Sequence, residues 1–167
     1  MARADSTPIA RMLKTWRKLE SLPAGKWIFS RLLGRFAPYS GSICANVVKL
    51  EPGYALIALR DRRRVRNHLR SIHAIALANL GELTSGLAVM SALPNDIRGI
   101  ITGLSMEYLK KARGRLLAES RCKPPEIAGD SEDITYEVIT EIRDSQEDIV
   151  ARAKVIWRLG IDPGTRQ

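Results

Sequence analysis

The longest stretch that is almost free of charge, residues 71–94, contains a single charged side chain, Glu82. Ile, Ala, Leu and Val occur on every side of a helix drawn through this stretch. This pattern predicts that about residues 71–90 form a helix enclosed by the rest of the protein. His73, Asn79 and several Ser and Thr residues interrupt the stretch and disfavour a membrane span. An ionised carboxylate is costly to bury, so Glu82 needs a partner or a chemical role.

Size and composition predict one globular domain. A chain of 167 residues that is 45% hydrophobic can bury one sizeable core and is unlike a disordered chain. The two cysteines, Cys44 and Cys122, lie far apart and form no CxxC pair, which favours a reducing compartment over a disulfide framework or a zinc site. The sequence lacks an apolar N-terminal segment typical of secretion, so we expect a cytoplasmic protein with no metal and no membrane span.

The net charge of +9 is unevenly distributed. Residues 1–36 hold eight Lys/Arg and two acids, residues 60–70 hold six Arg and one Asp, and residues 126–148 hold nine acids and one Arg. A basic surplus can indicate nucleic acid, an anionic membrane surface or a polyanionic small ligand, and the simplest interpretation of each run is a solvated face. Aromatic residues make up only 5%, and no nucleic-acid-binding motif accompanies the arginines, so we expect no nucleic acid partner.

The first 40 residues carry an amphipathic helical pattern. Ser6 or Thr7 can cap a helix that has a proline in its first turn, and a second short helix is predicted over about residues 27–36. We expect residues 1–40 to form a helical extension packed on the core of a domain spanning residues 41–162. A basic amphipathic segment of this kind can also rest on a membrane surface.

The rest of the chain predicts six strands and the one long helix. "EPG" marks a tight turn between the first two strands, and the last two strands show clear period-two alternation. The predicted strands span residues 42–50, 54–62, 98–109, 114–122, 133–144 and 148–160, the third and fourth being paired through "KKAR". This order predicts an α+β fold in which an antiparallel sheet wraps around the long apolar helix.

Polar residues suited to catalysis lie at the start and in the middle of the long helix. Asn67 falls in the loop that enters the helix, and His73 falls in its first turn. The backbone N–H of Ala74 lies in a turn whose N–H groups are unpaired and whose dipole end is positive, which suits it to stabilise an oxyanion. Glu82, in apolar surroundings, could activate water as a general base.

The spacing of His73 and Glu82 restricts how these residues can act together. Nine residues correspond to about 13.5 Å along a helix axis and to a rotation of about 900°, which places the two side chains on opposite faces. They cannot reach one small substrate within a single chain. A shared site therefore requires two chains, which predicts a symmetric homodimer, with a tetramer as a further possibility.

These residues resemble the active site of the hotdog-fold acyl-CoA thioesterases, in particular the phenylacetate-type branch. That branch has an Asn, then His-Gly-Gly at the start of the central helix, then an acid on the helix. The counterparts at matching spacing are Asn67, then His73, Ala74 and Ile75, then Glu82. The predicted order of elements is also similar to a hotdog domain, and the extra N-terminal helices resemble an uncharacterised hotdog group.

The resemblance implies hydrolysis of a coenzyme A thioester as substrate, with no cofactor. It implies that the Ala74 N–H and the Asn67 side chain hold the thioester carbonyl, that Glu82 of the partner chain directs water, and that His73 orients the loop or the thioester. Ala74 and Ile75 replace both glycines of the family's pair, which favours the alternative of a non-catalytic acyl-CoA-binding or regulatory dimer. For the family's polar residue on the following strand, Thr102 and Ser105 are both candidates.

Two basic clusters are candidates for the phosphates of coenzyme A, because Arg forms bidentate contacts with phosphate. The first comprises Arg62, Arg63, Arg64 and Arg66, and the second comprises Lys110, Lys111 and Arg113. Either cluster could equally be solvated charge. Glu82 could likewise pair with an Arg at a dimer interface, and hydratase chemistry on the same fold is a more distant alternative.

Overall fold

The computed structural model describes residues 7–127 and 133–162. The helices are α1 (Pro8–Leu19), α2 (Gly25–Phe36), α3 (Pro38–Gly41) and α4 (Ala74–Ala92). The strands are β1 (Asn46–Glu51), β2 (Tyr54–Leu59), β3 (Ile97–Tyr108), β4 (Leu116–Arg121), β5 (Ile134–Arg143) and β6 (Ile149–Ile161). A short 3-10 helix, Arg63–Val65, lies between β2 and α4.

The six strands form one antiparallel sheet in the order β1-β2-β4-β5-β6-β3, and α4 packs on its concave face. Leu80, Ala88 and Val89 of α4 are fully buried. Thr140 of β5 donates a hydrogen bond from Oγ1 to the carbonyl oxygen of Gly81, at 3.1 Å, which fixes the helix to the sheet. This is the α+β hotdog architecture, as the sequence predicted.

The burial of α4 agrees with its sequence. Its length and composition alone would suffice to cross a membrane, but most of its apolar surface packs against the described strands. Residues on every side of its first four turns are buried, so the helix is the core of the domain.

One strand pairing predicted from the sequence is wrong. Strand β3 pairs with β6 at the edge of the sheet, and β4 lies between β2 and β5, so β3 and β4 do not form a hairpin. The loop between them crosses the start of α4, where Ala112 is buried and its carbonyl oxygen accepts a hydrogen bond from the Ile72 N–H at 2.8 Å. Consecutive strands are usually neighbours, and here a buried loop residue carries the chain across the sheet instead.

Helices α1 and α2 pack on the outside of β1. The Trp16 side chain of α1 is buried, lies edge-on to Phe29 of α2 with ring centroids 5.0 Å apart, and donates from Nε1 to the carbonyl oxygen of Leu50 at 3.0 Å. Ser30 of α2 accepts a hydrogen bond from the Val47 N–H at 2.9 Å. This aromatic pair and the hydrogen bonds between both helices and the backbone of β1 hold the extension on the domain.

Helix α3 was not predicted from the sequence. It folds back on α2 through a close approach of two glycines, since a Cβ atom on Gly41 would lie 2.3 Å from the carbonyl oxygen of Gly34. Because a four-residue helix has too little periodicity to recognise, only this packing defines it.

Two glycines of α4 offer a matched test of the helix–sheet contact. A Cβ on Gly81 would lie 2.4 Å from the Cβ of Ala153 in β6, whereas a Cβ on Gly86 would lie 3.6 Å from the Trp157 ring. Alanine raises helix propensity by about 1 kcal/mol at either position. We expect Gly86→Ala to stabilise the protein and Gly81→Ala to destabilise it by roughly 1–3 kcal/mol, because the sheet must shift to admit the methyl group.

Chemical denaturation of both variants measures this difference. Equal stabilisation by the two substitutions would mean that α4 does not pack on β6 as closely as described.

Candidate active site

His73 caps the start of α4. Its Nδ1 accepts a hydrogen bond from the Ile75 N–H at 3.1 Å, so the neutral ring carries its proton on Nε2. Ala74 is the first residue of the helix, and its N–H therefore has no acceptor within the helix. The Tyr108 hydroxyl at the end of β3 donates to the Ala74 carbonyl oxygen at 3.3 Å. The Ala74 and Ala76 N–H groups thus have no acceptor among the described residues, and Ala74 is the donor that the sequence predicted.

Asn67 organises the loop before α4. Its Oδ1 accepts hydrogen bonds from the Leu69 N–H at 2.9 Å, the Ser71 N–H at 3.1 Å and the Ser71 hydroxyl at 3.2 Å. Because these contacts occupy the oxygen, the Nδ2 amide is the group with which this side chain can bind a substrate carbonyl. Asn67 therefore has a structural role as well as a candidate functional one.

Glu82 lies half-buried in the middle of α4. Ser40 of α3 donates a hydrogen bond to its Oε2 at 3.5 Å. Burial raises the pKa of this carboxyl, and the Ser40 hydrogen bond opposes the rise only partly. A carboxylate held in apolar surroundings with a raised pKa is a stronger base than an exposed one, which suits proton transfer near neutral pH.

Asn79 is a polar residue of the site that the sequence did not single out. It is 7% exposed, donates from Nδ2 to the carbonyl oxygen of Tyr39 at 3.1 Å, and its Oδ1 has no partner among the described residues. Ser40, the partner of Glu82, follows Tyr39 directly, so α3 contacts both polar residues of this face of α4. Neither Asn79 nor Ser40 belongs to a motif, and only the position of α3 relates them.

A groove of about 530 Å³ opens at the start of α4. It is lined by Arg64, Arg66, His73, Ile75 and Asn79, with Tyr39, Ser42, Ile43, Val65 and Ala76. Neither Asn67 nor Glu82 lines it, so one chain alone does not bring the predicted catalytic residues together.

A smaller cavity, of about 210 Å³, lies between α2, α3 and the sheet. Ser40 and Leu83 are among its lining residues, with Val47 and Ile57 from the strands. This space is therefore adjacent to Glu82, which is bonded to Ser40.

The structure brings parts of the two basic clusters to the same corner as the helix start. The Ile72–Ala112 hydrogen bond places the second cluster beside α4, and Asp61 accepts hydrogen bonds from Arg66 at 2.5 Å and from the Gly114 N–H at 3.0 Å. Asp61 thereby joins the loop after β2 to the loop after β3.

Not every basic residue of the clusters remains available. Arg62 donates to the carbonyl oxygens of Ile43 and Cys44, both at 3.0 Å, and Lys110 forms ion pairs with Asp144 and Asp148. Arg66 pairs with Asp61, and the four remaining members of the two clusters are exposed: Arg63, Arg64, Lys111 and Arg113.

Thr102 and Ser105 both lie on β3, which is one of the two edge strands of the sheet. Thr102 sits at an irregularity in the pairing with β6 and donates to the carbonyl oxygen of Ile156 at 3.4 Å, and Ser105 is exposed. Across residues 7–127 and 133–162, no group of three or more His, Cys, Asp or Glu side chains is arranged to hold a metal ion.

The fold and site define a hotdog-fold protein with a polar helix start and a half-buried acid on the central helix. The chain belongs to the family described as domain of unknown function DUF4442, whose profile matches residues 25–159. A protein of known crystal structure designated APC5556 is 30% identical, with a TM-score of 0.76 over 93% of this chain and 100% of that one.

More distant structures share the fold. A Pseudomonas aeruginosa protein of unknown function described as a probable thioesterase is 23% identical, with a TM-score of 0.70 over 84% of this chain and 97% of that one. A Streptococcus mutans protein bound to acetyl CoA is 21% identical, with a TM-score of 0.57 over 70% and 88%. No curated protein shows significant similarity to the chain. Assignment to the phenylacetate-type branch stays a prediction.

The raised pKa of Glu82 predicts a pH dependence of stability. Its ordinary value is 4.5, and a higher value in the folded state means that folding favours the protonated acid. The stability that Glu82 contributes is present below the unfolded pKa and is lost as the pH rises through the folded pKa. We expect Glu82→Gln to have the same free energy of unfolding as the wild type at acidic pH. As the pH approaches neutrality, the variant should become the more stable protein.

Denaturant titrations across this pH range measure the difference, with Glu51→Gln, at an exposed carboxylate on β1, as the control. A constant stability difference between Glu82→Gln and the wild type would contradict the burial of the carboxyl.

Proposed function

We propose that this protein is an acyl-CoA thioesterase whose active sites are shared by the two chains of a homodimer. The observation that carries the proposal is the half-buried carboxyl of Glu82, with its raised pKa, on the central helix of a hotdog fold. The description of the Pseudomonas aeruginosa relative and the acetyl CoA bound to the Streptococcus mutans relative support it. We expect the protein to be cytoplasmic.

In this mechanism the Ala74 N–H and the Asn67 Nδ2 amide bind the thioester carbonyl oxygen. Glu82 of the partner chain takes a proton from water as the water oxygen bonds to the carbonyl carbon, and the two donors stabilise the resulting oxyanion. The intermediate then breaks its C–S bond. The sulfur leaves with the proton that Glu82 returns, and the products are a carboxylic acid and free coenzyme A.

The edge strand β3 supports the dimer. It is 12 residues long and exposes Ile100, Leu104 and Tyr108, and among the described residues it pairs only with β6. A long apolar edge strand is a template for pairing with another chain. Pairing two copies of β3 about a two-fold axis would continue the sheet and bring the helix start of one copy towards the partner.

The groove at the helix start supports binding of coenzyme A. Arg64 and Arg66 lie in the same groove as His73, and the exposed Lys111 and Arg113 lie in the loop held beside it. This concentration of positive charge suits the pyrophosphate and ribose phosphate of the substrate. The cavity beside Ser40 provides room for the acyl group.

A second candidate function is binding of acyl-CoA without hydrolysis. Ile75, at the position of the family's second glycine, is 55% exposed beside the Ala74 N–H, where its side chain narrows the approach of a thioester. Tight binding of acyl-CoA by calorimetry, with no release of free thiol, would identify this function.

The first test of hydrolysis is the substitution Glu82→Gln, which keeps the size of the side chain and removes its basicity. We expect turnover to fall by about a hundredfold or more, with little change in substrate affinity, as for the loss of a general base. Release of free coenzyme A from short, medium, long and aryl acyl-CoAs measures the effect, and Glu51→Gln is the control. Wild-type protein that hydrolyses none of these substrates would refute the proposal.

The second test concerns sharing of the site between chains. Asn67→Asp keeps the oxygen that organises the loop and replaces the amide donor with an anionic oxygen, so we expect it to be inactive yet folded. Co-expression with Glu82→Gln produces mixed dimers in which one site of the two combines an intact Asn67 and an intact Glu82. Random assortment should restore about a quarter of wild-type activity to the unfractionated mixture and about half to the isolated mixed dimers.

Sedimentation must first establish that both variants remain dimers, and mixed dimers must be isolated through two different affinity tags. If isolated mixed dimers are as inactive as their parents, the site is not shared.

A further inference from the structure

Large apolar side chains are concentrated on the N-terminal helices and the turns beside them. Within the part of the chain that the structure describes, thirteen large hydrophobic residues are exposed, and six of them fall between residues 22 and 39. They are Leu22, Trp27, Ile28, Leu32, Phe36 and Tyr39, with exposures from 39% to 71%. Concentrated exposed apolar surface marks an interaction site, and the proposed catalysis uses none of these residues.

Three of these residues form a stripe along α2. Ile28, Leu32 and Phe36 recur every four residues, which places them on one face of the helix, while Phe29 packs inward against Trp16. A shallow groove of about 350 Å³ continues this stripe onto α1, where Met12 contributes to its lining. We call the outer surface of α1 and α2 around the stripe the α1–α2 face.

The same two helices are strongly basic. Residues 7–41 contain seven Lys/Arg and one acid, Glu20, and none of the seven forms an ion pair within the described residues. Arg11, which is exposed, lies at the groove together with Leu32 and Phe36. Lys26 and Arg31 donate to backbone carbonyl oxygens, which leaves their charges uncompensated by carboxylates.

Large exposed apolar side chains surrounded by Lys and Arg that form no ion pairs are typical of helices that lie in the interface of an anionic membrane. We propose that the α1–α2 face docks the protein on an anionic lipid surface, with Leu32 and Phe36 inserted among the headgroups and Arg11 bound to lipid phosphates. The inference does not depend on the proposed catalytic function.

Two features favour lipid over the other occupants of such a face. A second copy of the same face would carry the same positive charge and repel the first. A partner helix needs a groove that encloses it, whereas Leu32 and Phe36 are 48% and 70% exposed and stand out from the surface. A fluid anionic surface accommodates projecting side chains and neutralises the basic charge at once.

Vesicle co-sedimentation of the full chain tests the proposal. We expect binding to phosphatidylcholine vesicles that contain phosphatidylglycerol to exceed binding to pure phosphatidylcholine vesicles by about tenfold or more, and to weaken as salt is raised. Phe36→Ser and Arg11→Glu should each reduce the binding several-fold. The controls are Ile139→Ser, at an exposed apolar residue on β5, and Lys123→Glu, at an exposed base, which should both bind as the wild type does.

Thermal melting checks that all four variants are folded. Equal binding to both kinds of vesicle, or equal binding by the variants and their controls, would overturn the proposal. Sedimentation without lipid supplies a further check, because a change of oligomeric state in Phe36→Ser would show that the face is a contact between subunits and would also overturn it.

Discussion

The enclosure of α4 determines the arrangement of the rest of the domain. A helix of 19 residues with one charged side chain must be removed from water on nearly every side, and the curved sheet covers most of its circumference. The face that the sheet leaves open is covered by α3, which is short and polar at its contacts. Asn79 and Glu82 lie on this face, where Tyr39 and Ser40 provide hydrogen-bonding partners. Asn79 and Glu82 thus lie where α3 can meet part of their hydrogen-bonding capacity.

The enclosure also leaves the N-terminal end of α4 as a concentrated source of positive potential. The helix dipole, the unpaired Ala74 N–H and the basic residues of two loops meet there, and Asp61 holds the two loops together. Glu82 lies about two turns further along the helix, away from this potential, in surroundings that raise its pKa. A basic region and a half-buried carboxyl are therefore separated on one chain, and the proposed dimer would bring them together.

Sequence patterns predicted the elements of the fold better than their pairing. The long helix and the strands carry clear periodicity, and the spacing of Asn67, His73 and Glu82 was readable because it is local to one helix and its entry loop. The pairing of β3 with β6 depends on a loop that crosses the helix start. The hydrophobic periodicity of the strands carries no information about such a crossing. Helix α3 and the role of Asn79 depend on a close approach of two glycines, so tertiary contacts alone define them.

The start of α4 determines how strongly a thioester could be activated. His73 uses its Nδ1 to cap the Ile75 N–H, so the Ala74 and Ala76 N–H groups are the helix-start donors without an acceptor among the described residues. In the proposed mechanism Asn67 adds a side-chain donor to the Ala74 N–H, and the oxygen of Asn67 is already bonded within the loop. An oxyanion site with one backbone donor and one side-chain donor can still stabilise a tetrahedral intermediate. In that mechanism, catalysis therefore depends on the space that Ile75 leaves for a thioester beside the Ala74 N–H.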